Sequence, residues 1–148
     1  PATRLSLRAG ADALGALSSA FGLPLPTRPK TSASANGRHA LWLGPDEWLL
    51  IDETGADLMA AAASAGVLHS ATDVSHRNTA VLVSGPDAAG AIASACPLDL
   101  GNAVFPVGAA ARTVLGKIEI VLLRSGEEET FAPYAFGILA EGAEDAAL

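Results

Sequence analysis

The sequence contains a single cysteine, Cys96, so no disulfide bond can form within the chain. This excludes the disulfide frameworks of small secreted domains and favours a reducing compartment. Long apolar runs are also missing, because Ser64 and Gly66 interrupt the longest weakly polar stretch, from Leu58 to Leu68. A membrane span needs ~20 apolar residues. No charged-then-apolar segment opens the sequence, and we therefore expect a soluble cytoplasmic protein without a membrane partner.

Basic clusters and aromatic side chains are scarce as well. The 9 Lys and Arg residues are scattered among 16 Asp and Glu residues, which gives a formal net charge of −7. Nucleic-acid binding requires clustered positive charge, so we exclude a nucleic-acid partner. Aromatic residues make up only 5% of the chain, and we expect Trp42 and Trp48 to hold important positions.

The first half of the chain shows one series of local patterns. Alternating polarity predicts a strand over residues 4–8, and helically spaced leucines predict a helix over 12–21. Three prolines make the connector 23–38 a loop in this interpretation. Two apolar runs around Gly44-Pro45-Asp46 predict a hairpin, and Thr54 is the expected N-cap of a helix over about 55–65.

The second half shows a similar series. We predict a strand over 79–84, a helix over 86–96 that Pro86 opens, a hairpin over 112–123 and a last helix over about 131–140. Ala88, Ile92, Ala95 and Cys96 are expected to share the buried face of the helix over 86–96.

Near-equal offsets between the halves suggest an internal duplication. Asp12 and Asp87 are 75 positions apart, and Leu43 and Leu115 are 72 apart. The prediction is one α+β domain of two β-α-β-β-α repeats, about residues 4–74 and 77–140, with antiparallel sheets backed by helices. An acidic tail, residues 141–148, is expected to be loosely ordered.

A polar cluster of Asp73, Ser75, His76 and Arg77 lies between the two halves. Asp73 could bind an amine and Arg77 a carboxylate. We prefer the alternative, a turn in which Asp73 or Ser75 bonds to nearby backbone, because a turn already accounts for these residue types. A Ser-His-Asp triad is disfavoured, because three such residues within four positions cannot easily align along one proton path.

The remaining candidate residues do not form a recognised site. The three histidines, His39, His69 and His76, lack the paired spacing of zinc ligands, so we predict no metal. Cys96 is interpreted as a buried, inert thiol. Trp42 and Trp48 flank the hairpin turn and either contact a partner or pack in the core. No catalytic or cofactor-binding residue is predicted.

Several sequence blocks together resemble a known family. They are Leu43–Leu50, Asp73–Arg77, Val83–Ala88, Cys96–Leu100, Phe105–Gly108 and Arg112-Thr113. In this order they resemble the gamma subunit of heterotetrameric sarcosine oxidase. The Asp-Val-Ser-His piece alone is also similar to the folate-dependent aminomethyltransferase superfamily.

The resemblance implies a duplicated folate-binding-type fold that holds no cofactor of its own. It further implies a non-catalytic subunit that braces the large subunit in a complex with alpha, beta and delta subunits. In that family the partner subunits hold NAD, FAD, FMN, tetrahydrofolate and zinc. The complex oxidises sarcosine to glycine with release of peroxide and passes the methyl carbon to folate. A stand-alone folate-binding protein of the aminomethyltransferase superfamily is the alternative.

One departure from the family pattern follows Arg124. The chain reaches Phe131-Ala-Pro-Tyr after only a short polar segment, where family members have another apolar strand. We therefore expect the last strand of the second repeat to be missing or very short.

Overall fold

Nine strands and three α-helices form the described part of the chain, residues 1–125 and 135–141 of a computed structural model. They divide between a first unit, residues 1–76, and a second unit, residues 77–148. All strand pairs are antiparallel, and each unit has one sheet. The α+β class with antiparallel sheets, predicted from the mixture of strand and helix patterns, is confirmed.

The first unit has a five-stranded sheet in the order β2-β3-β4-β1-β5. Its elements are β1 (Thr3–Ala9), α1 (Leu14–Phe21), β2 (Ser32–Ala35), β3 (Arg38–Gly44), β4 (Glu47–Asp52), α2 (Leu58–Ser64) and β5 (His69–Asp73). The β1 strand, the α1 helix and the β3–β4 hairpin lie where the sequence patterns predict them.

The core of the first unit forms where alternate strand residues meet one face of each helix. Leu5 and Leu7 of β1 cluster with Leu17 and Phe21 of α1, all at most 2% exposed. Each side chain of this size contributes roughly 1.5–3 kcal/mol on burial. Helix α1 ends at Gly22, whose φ of 73° supplies the left-handed conformation of a C-cap.

The connector predicted as a loop contains a strand, which corrects that prediction. Strand β2 pairs with β3, and the turn between them is Asn36-Gly37, with φ values of 52° and 75°. Positive φ at both central residues is the requirement of a tight two-residue hairpin turn, and Asn-Gly is its usual sequence. The signal was present in the sequence, but the surrounding prolines and small polar residues obscured it.

The start of α2 also differs from the prediction. Thr54 does not cap the helix, because its hydroxyl donates a hydrogen bond to Asp52 Oδ1 at 2.5 Å. Asp57 is the N-cap, and its Oδ1 accepts a hydrogen bond from the Ala60 N–H at 2.9 Å. Both residue types suit an N-cap, and the buried Asp52 carboxylate decides between them by engaging Thr54.

The second unit has a four-stranded sheet in the order β6-β9-β8-β7. Its elements are β6 (Asn78–Ser84), α3 (Ala88–Ala93), β7 (Ala110–Leu115), β8 (Ile118–Arg124) and β9 (Ala135–Glu141). Ile92 of α3 and Phe105 of the following loop cluster with Ile120 and Leu122 of β8. The predicted strand and hairpin are confirmed by this arrangement.

Helix α3 is shorter than the predicted helix over 86–96. Asp87 is its N-cap, so Pro86 lies before the helix instead of at its first position. Ala88, Ile92 and Cys96 are buried as predicted, but Ala95 is exposed. Ala95 lies beyond the last helical residue, so the helical spacing that placed it on the buried face no longer applies there.

The last predicted helix is wrong within the described residues. Residues 135–141 form β9, which pairs with β6 on one side and with β8 on the other. A short apolar run does not distinguish a helix from a buried strand, and Gly137 weakens a helix interior. The strand expected to be missing or very short would lie before Phe131, and residues 126–130 there are outside the described residues. Residues 131–134, and the acidic tail beyond Glu141, lie outside the described residues.

The β-α-β-β-α pattern fits the two units unequally. Both units open with a strand, a helix and, later, a hairpin. The first unit adds β2 and β5 to the pattern, and in the described part of the second unit strand β9 occupies residues that were predicted as helix. The opening strand β1 lies inside its sheet, whereas β6 lies at an edge. Internal duplication stays a prediction.

Candidate functional site

The polar cluster begins as a local turn at the end of β5. Asp73 Oδ1 accepts a hydrogen bond from the Ser75 N–H at 2.8 Å, which is the geometry of an Asx turn. The Ser75 hydroxyl accepts from the Arg4 N–H at 2.9 Å, and Arg4 Nη1 donates to the Ser75 carbonyl at 3.1 Å. The Asp73–Ser75 turn is therefore fastened to β1, as the turn interpretation of this cluster requires.

The electrostatics of Asp73 make it a poor proton acceptor. Hydrogen bonds from the Ser75 side chain and backbone N–H, together with the charge of His76, hold the pKa of Asp73 below its ordinary value. A general base for catalysis near neutral pH needs a raised carboxylate pKa. Asp73 is therefore ionised at neutral pH, and its Oδ1 already accepts the hydrogen bond from the Ser75 N–H.

His76 and Arg77 are exposed and do not complete a catalytic set with their neighbours. Within the described residues, His76 makes no hydrogen bond, and the Ser75 hydroxyl is engaged by Arg4. His76 is the last residue of the first unit, and Arg77 is the first residue of the second. The structure therefore brings Asp73, Ser75 and His76 together in one turn without a nucleophile–base hydrogen bond.

A cleft of ≈ 290 Å³ lies beside this turn in the first unit. It is lined by Thr3, Arg4, Leu5, Gly55, Asp57, Leu58, Met59 and Asp73. Sequence reasoning did not predict this cleft, because its residues come from three separate segments. Asp57 already caps α2, and the Thr3 hydroxyl donates to the Ala56 carbonyl at 2.7 Å. The polar side chains of Thr3 and Asp57 in its lining thus already make hydrogen bonds that stabilise the fold.

The two tryptophans face each other across the β3–β4 hairpin but differ in burial. Trp42 and Trp48 are directly opposite in the strand register. Trp48 is 1% exposed, and its Nε1–H donates to the Pro26 carbonyl at 2.7 Å. Trp42 is half-buried. Of the two alternatives left open by the sequence, the structure places Trp48 in the core, and partner contact by Trp42 stays a prediction.

The histidines lie in different parts of the first unit. His39 Nδ1 is 2.7 Å from the Ser34 hydroxyl, and its Nε2 is 3.0 Å from Glu53 Oε1. Ser34 is the cross-strand neighbour of His39 in the β2–β3 register, so sheet pairing accounts for the contact between these two residues. His69 Nδ1 lies 2.7 Å from the Val67 carbonyl. In the described part of the chain, no three His, Cys, Asp or Glu residues form a group that could hold a metal ion.

Among the described residues, the carboxyl group with the largest pKa shift is that of Asp52, which the sequence did not single out. It is 2% exposed. Burial by itself raises its pKa, but hydrogen bonds from Thr54, Arg38 and Ala56 overcome this and lower the pKa to about 2. Perturbed carboxylates can mark functional sites. Here Arg38, Thr54 and Ala56 all belong to the first unit, so the Asp52 carboxylate links separate segments of that unit.

Cys96 is a buried free thiol in the second unit, with its Sγ 3.8 Å from Thr113 Oγ1. Its surroundings are the apolar cluster of Ile92 and Ile120. A thiol in such surroundings is expected to be inert. Across the described residues, none of the helices has the length and apolar character that a membrane-crossing helix requires.

Known proteins with similar sequences identify the family of this chain. The sequence model of the "Sarcosine oxidase, gamma subunit family" matches residues 8–135. A sarcosine oxidase subunit gamma from Corynebacterium sp. (strain P-1) is 36% identical over 135 residues, which cover 88% of this chain and 66% of that protein. The corresponding subunit from Arthrobacter sp. is 35% identical, with the same coverage of both chains. This chain thus spans just under two thirds of the length of these relatives.

A solved structure extends the similarity to three dimensions. It is the heterotetrameric sarcosine oxidase from Corynebacterium sp. U-96 in complex with pyrrole 2-carboxylate. One of its chains superposes on this chain with a TM-score of 0.84 and 33% sequence identity, covering 95% of this chain and 71% of the other. Because the family match covers most of the residues and the relatives exceed 30% identity, this chain belongs to the sarcosine oxidase gamma subunit family.

Proposed function

We propose that this chain is a non-catalytic gamma subunit of a heterotetrameric sarcosine oxidase and that it braces the large alpha subunit. One observation carries the proposal: 95% of the chain superposes on a chain of a solved heterotetrameric sarcosine oxidase with a TM-score of 0.84. Its partners are then the alpha, beta and delta subunits. The reaction of the complex is oxidation of sarcosine to glycine, with peroxide and a folate-bound one-carbon unit as the other products.

The geometry of the polar cluster supports a scaffold role. Oxidation of a secondary amine needs a redox cofactor, which carries the hard chemistry. In this chain the Asp73–Ser75 turn is used to fasten β5 to β1, and the pKa of Asp73 is lowered instead of raised. These features supply neither a proton acceptor tuned to neutral pH nor an activated nucleophile.

We propose that the partner subunits bind the cofactors. NAD, FAD, FMN, tetrahydrofolate and zinc would all be bound outside this chain. The strand-to-helix turn at Gly85-Pro86-Asp87 has one glycine, whereas a dinucleotide cradle uses several at fixed spacing. The chain purified alone should therefore show no flavin absorbance band and no stoichiometric zinc by elemental analysis. Either signal would contradict this assignment.

Two finer features belong to the same proposal. We propose that the two units derive from an internal duplication of a folate-binding-type fold, because each combines a strand, a helix and a hairpin in the same order. We also propose assembly in the cytoplasm, since the single cysteine, Cys96, is a buried free thiol.

Copurification tests the proposed function most directly. A tag on this chain, expressed in the native host, should capture large flavin-bearing subunits through two successive affinity steps. Mass spectrometry then identifies the captured chains, and absorbance measures the flavin. Capture of a stand-alone protein without such partners would reject the subunit assignment and favour the alternative, a separate folate-binding protein.

A further inference from the structure

Strand β6, residues Asn78–Ser84, is an edge of the four-stranded sheet. In the part of the chain that the structure describes, it pairs with β9 on one side only. The outer side of an edge strand presents backbone N–H and C=O groups that can pair with another chain. Proteins usually protect such edges with charged side chains, proline, bulges or short strands.

The other described sheet edges have these protections. Strand β7, at the opposite edge of the same sheet, carries Arg112, whose Nε lies 3.3 Å from Glu119 Oε1. Strand β5 carries His69 and Asp73, and β2 is only four residues long. Strand β6 has seven residues and no charge among them. The contrast between β6 and β7 within one sheet indicates that β6 is covered in the assembled protein.

Exposed apolar side chains extend along β6 on both of its faces. Val81 is 48% exposed and Leu82 is 77% exposed. Consecutive strand residues point to opposite faces, so these two side chains project above and below the sheet edge. A covering strand could therefore bury apolar surface on both faces while it pairs with the backbone.

Opposite charges lie at the two ends of this strand. Arg77 precedes β6, Asp87 follows it, and both are exposed. Neither forms an ion pair with the described residues of the chain. A segment lying along β6 would thus meet a positive charge at one end, an uncharged strand of about 23 Å with an apolar middle, and a negative charge at the other end.

We propose that β6 is the docking edge for an extended segment of a partner subunit, an inference that rests on the proposed gamma-subunit function. The segment adds a fifth strand to the sheet of the second unit through main-chain hydrogen bonds. It is apolar in its middle, with an acidic residue beside Arg77 and a basic residue beside Asp87, as charge complementarity requires.

The test uses the complete complex with a tag on this chain. In the double variant Val81→Lys and Leu82→Lys, two charges protect the edge in the way natural edges are protected. Recovery of the partner subunits should fall by about tenfold or more, because the docked strand would bury both lysines. The matched control is Val114→Lys on β7, which is 40% exposed at the opposite edge of the same sheet. Its recovery should stay within about twofold of the unchanged chain.

Amide hydrogen exchange provides a readout that does not depend on substitutions. The alternate amides of residues 79–84 that point away from β9 should exchange at least about tenfold more slowly in the complex than in the isolated chain, because they gain main-chain hydrogen bonds. Amides of β7 should change little. Charge reversals Arg77→Glu and Asp87→Lys should each lower recovery at low salt, with a smaller effect at high salt.

The outcomes separate this inference from the proposed function. If the unchanged chain captures no subunits, both are overturned. If it captures them and the double lysine variant captures them equally, with exchange of residues 79–84 unchanged, only the docking edge is overturned. A dimer of the isolated chain that the lysine pair abolishes would show that a second copy covers β6, and would also overturn the proposal.

Discussion

Two nitrogens of the Arg38 guanidinium contact the same oxygen of the buried Asp52 carboxylate. Arg38 Nε and Nη2 both lie 2.7 Å from Asp52 Oδ2, and Arg38 Nη1 donates to the Phe21 carbonyl at 2.8 Å. The other carboxylate oxygen, Oδ1, accepts from the Thr54 N–H at 2.8 Å and from the Ala56 N–H at 3.3 Å. This network joins the end of α1, the hairpin and the segment before α2.

We expect Asp52→Asn to destabilise the fold by about 2–4 kcal/mol at neutral pH, because it leaves the Arg38 charge without its partner. Asp46→Asn is the control, since its pair with Arg8 has both side chains more than half exposed. That change should cost less than about 1 kcal/mol. Urea denaturation of the three proteins measures both effects. Equal stability of Asp52→Asn and the unchanged chain would contradict the structural role.

The same carboxylate predicts a dependence of stability on acid. The pKa of Asp52 falls from 3.8 to about 2 on folding, so the folded state favours the ionised form. Its contribution is fully present above pH about 4 and is lost as the pH falls towards 2. The stability difference between the unchanged chain and Asp52→Asn should therefore shrink over this interval. A difference that stays constant from pH 5 to about pH 2 would be inconsistent with the lowered pKa.

Replacing Trp48 by alanine should cost roughly 3–5 kcal/mol, because it opens a cavity and removes the donor to the Pro26 carbonyl. Trp42→Ala should cost less, since Trp42 is half-buried. Thermal unfolding of the isolated chain compares the two variants. If Trp48→Ala leaves stability unchanged and only prevents assembly with other subunits, the assignment of Trp48 to the core is wrong.

Gly37→Ala should weaken the β2–β3 hairpin, because φ at Gly37 is 75° and a side chain there is strained. The cost is about 1–2 kcal/mol. Gly15→Ala should have the opposite effect on stability, because Gly15 lies within helix α1 and an added Cβ there meets no atom within 4 Å. That change should stabilise the helix by about 0.5–1 kcal/mol. Hydrogen exchange of residues 32–41 reports the hairpin directly, and unchanged exchange in Gly37→Ala would argue against the tight turn.

His76→Ala should leave the turnover of an assembled complex within about threefold, because catalytic acid–base groups are worth 10²–10⁴. His76 is exposed and lacks a hydrogen bond to the described residues, which motivates this expectation. For the proposed complex, steady-state oxidation of sarcosine is measured on preparations matched for subunit and flavin content. A hundredfold loss under these conditions would show that His76 reaches an active site.

Local sequence patterns were sufficient to predict much of the secondary structure of the first unit and the β7–β8 hairpin. Alternating polarity placed β1, helical spacing placed α1, and Gly44-Pro45-Asp46 placed the turn between β3 and β4. Such features depend on neighbours within a few positions, so the residues themselves determine them. The turn interpretation of Asp73 and Ser75 has the same local origin, since Asp bonds readily to the backbone two residues on.

Contacts between residues that are distant in the sequence decided the features that local patterns did not predict. Residues 135–141 became a strand because they lie between β6 and β8, and no local pattern shows that pairing. Asp57 rather than Thr54 caps α2 because the buried Asp52 engages the Thr54 hydroxyl. Trp48 is a core residue because it belongs to the buried cluster of the first unit and its Nε1–H bonds to the Pro26 carbonyl, 22 positions away. The residue types allowed each alternative, and the free energy of burial and long-range hydrogen bonding in the tertiary structure selected one.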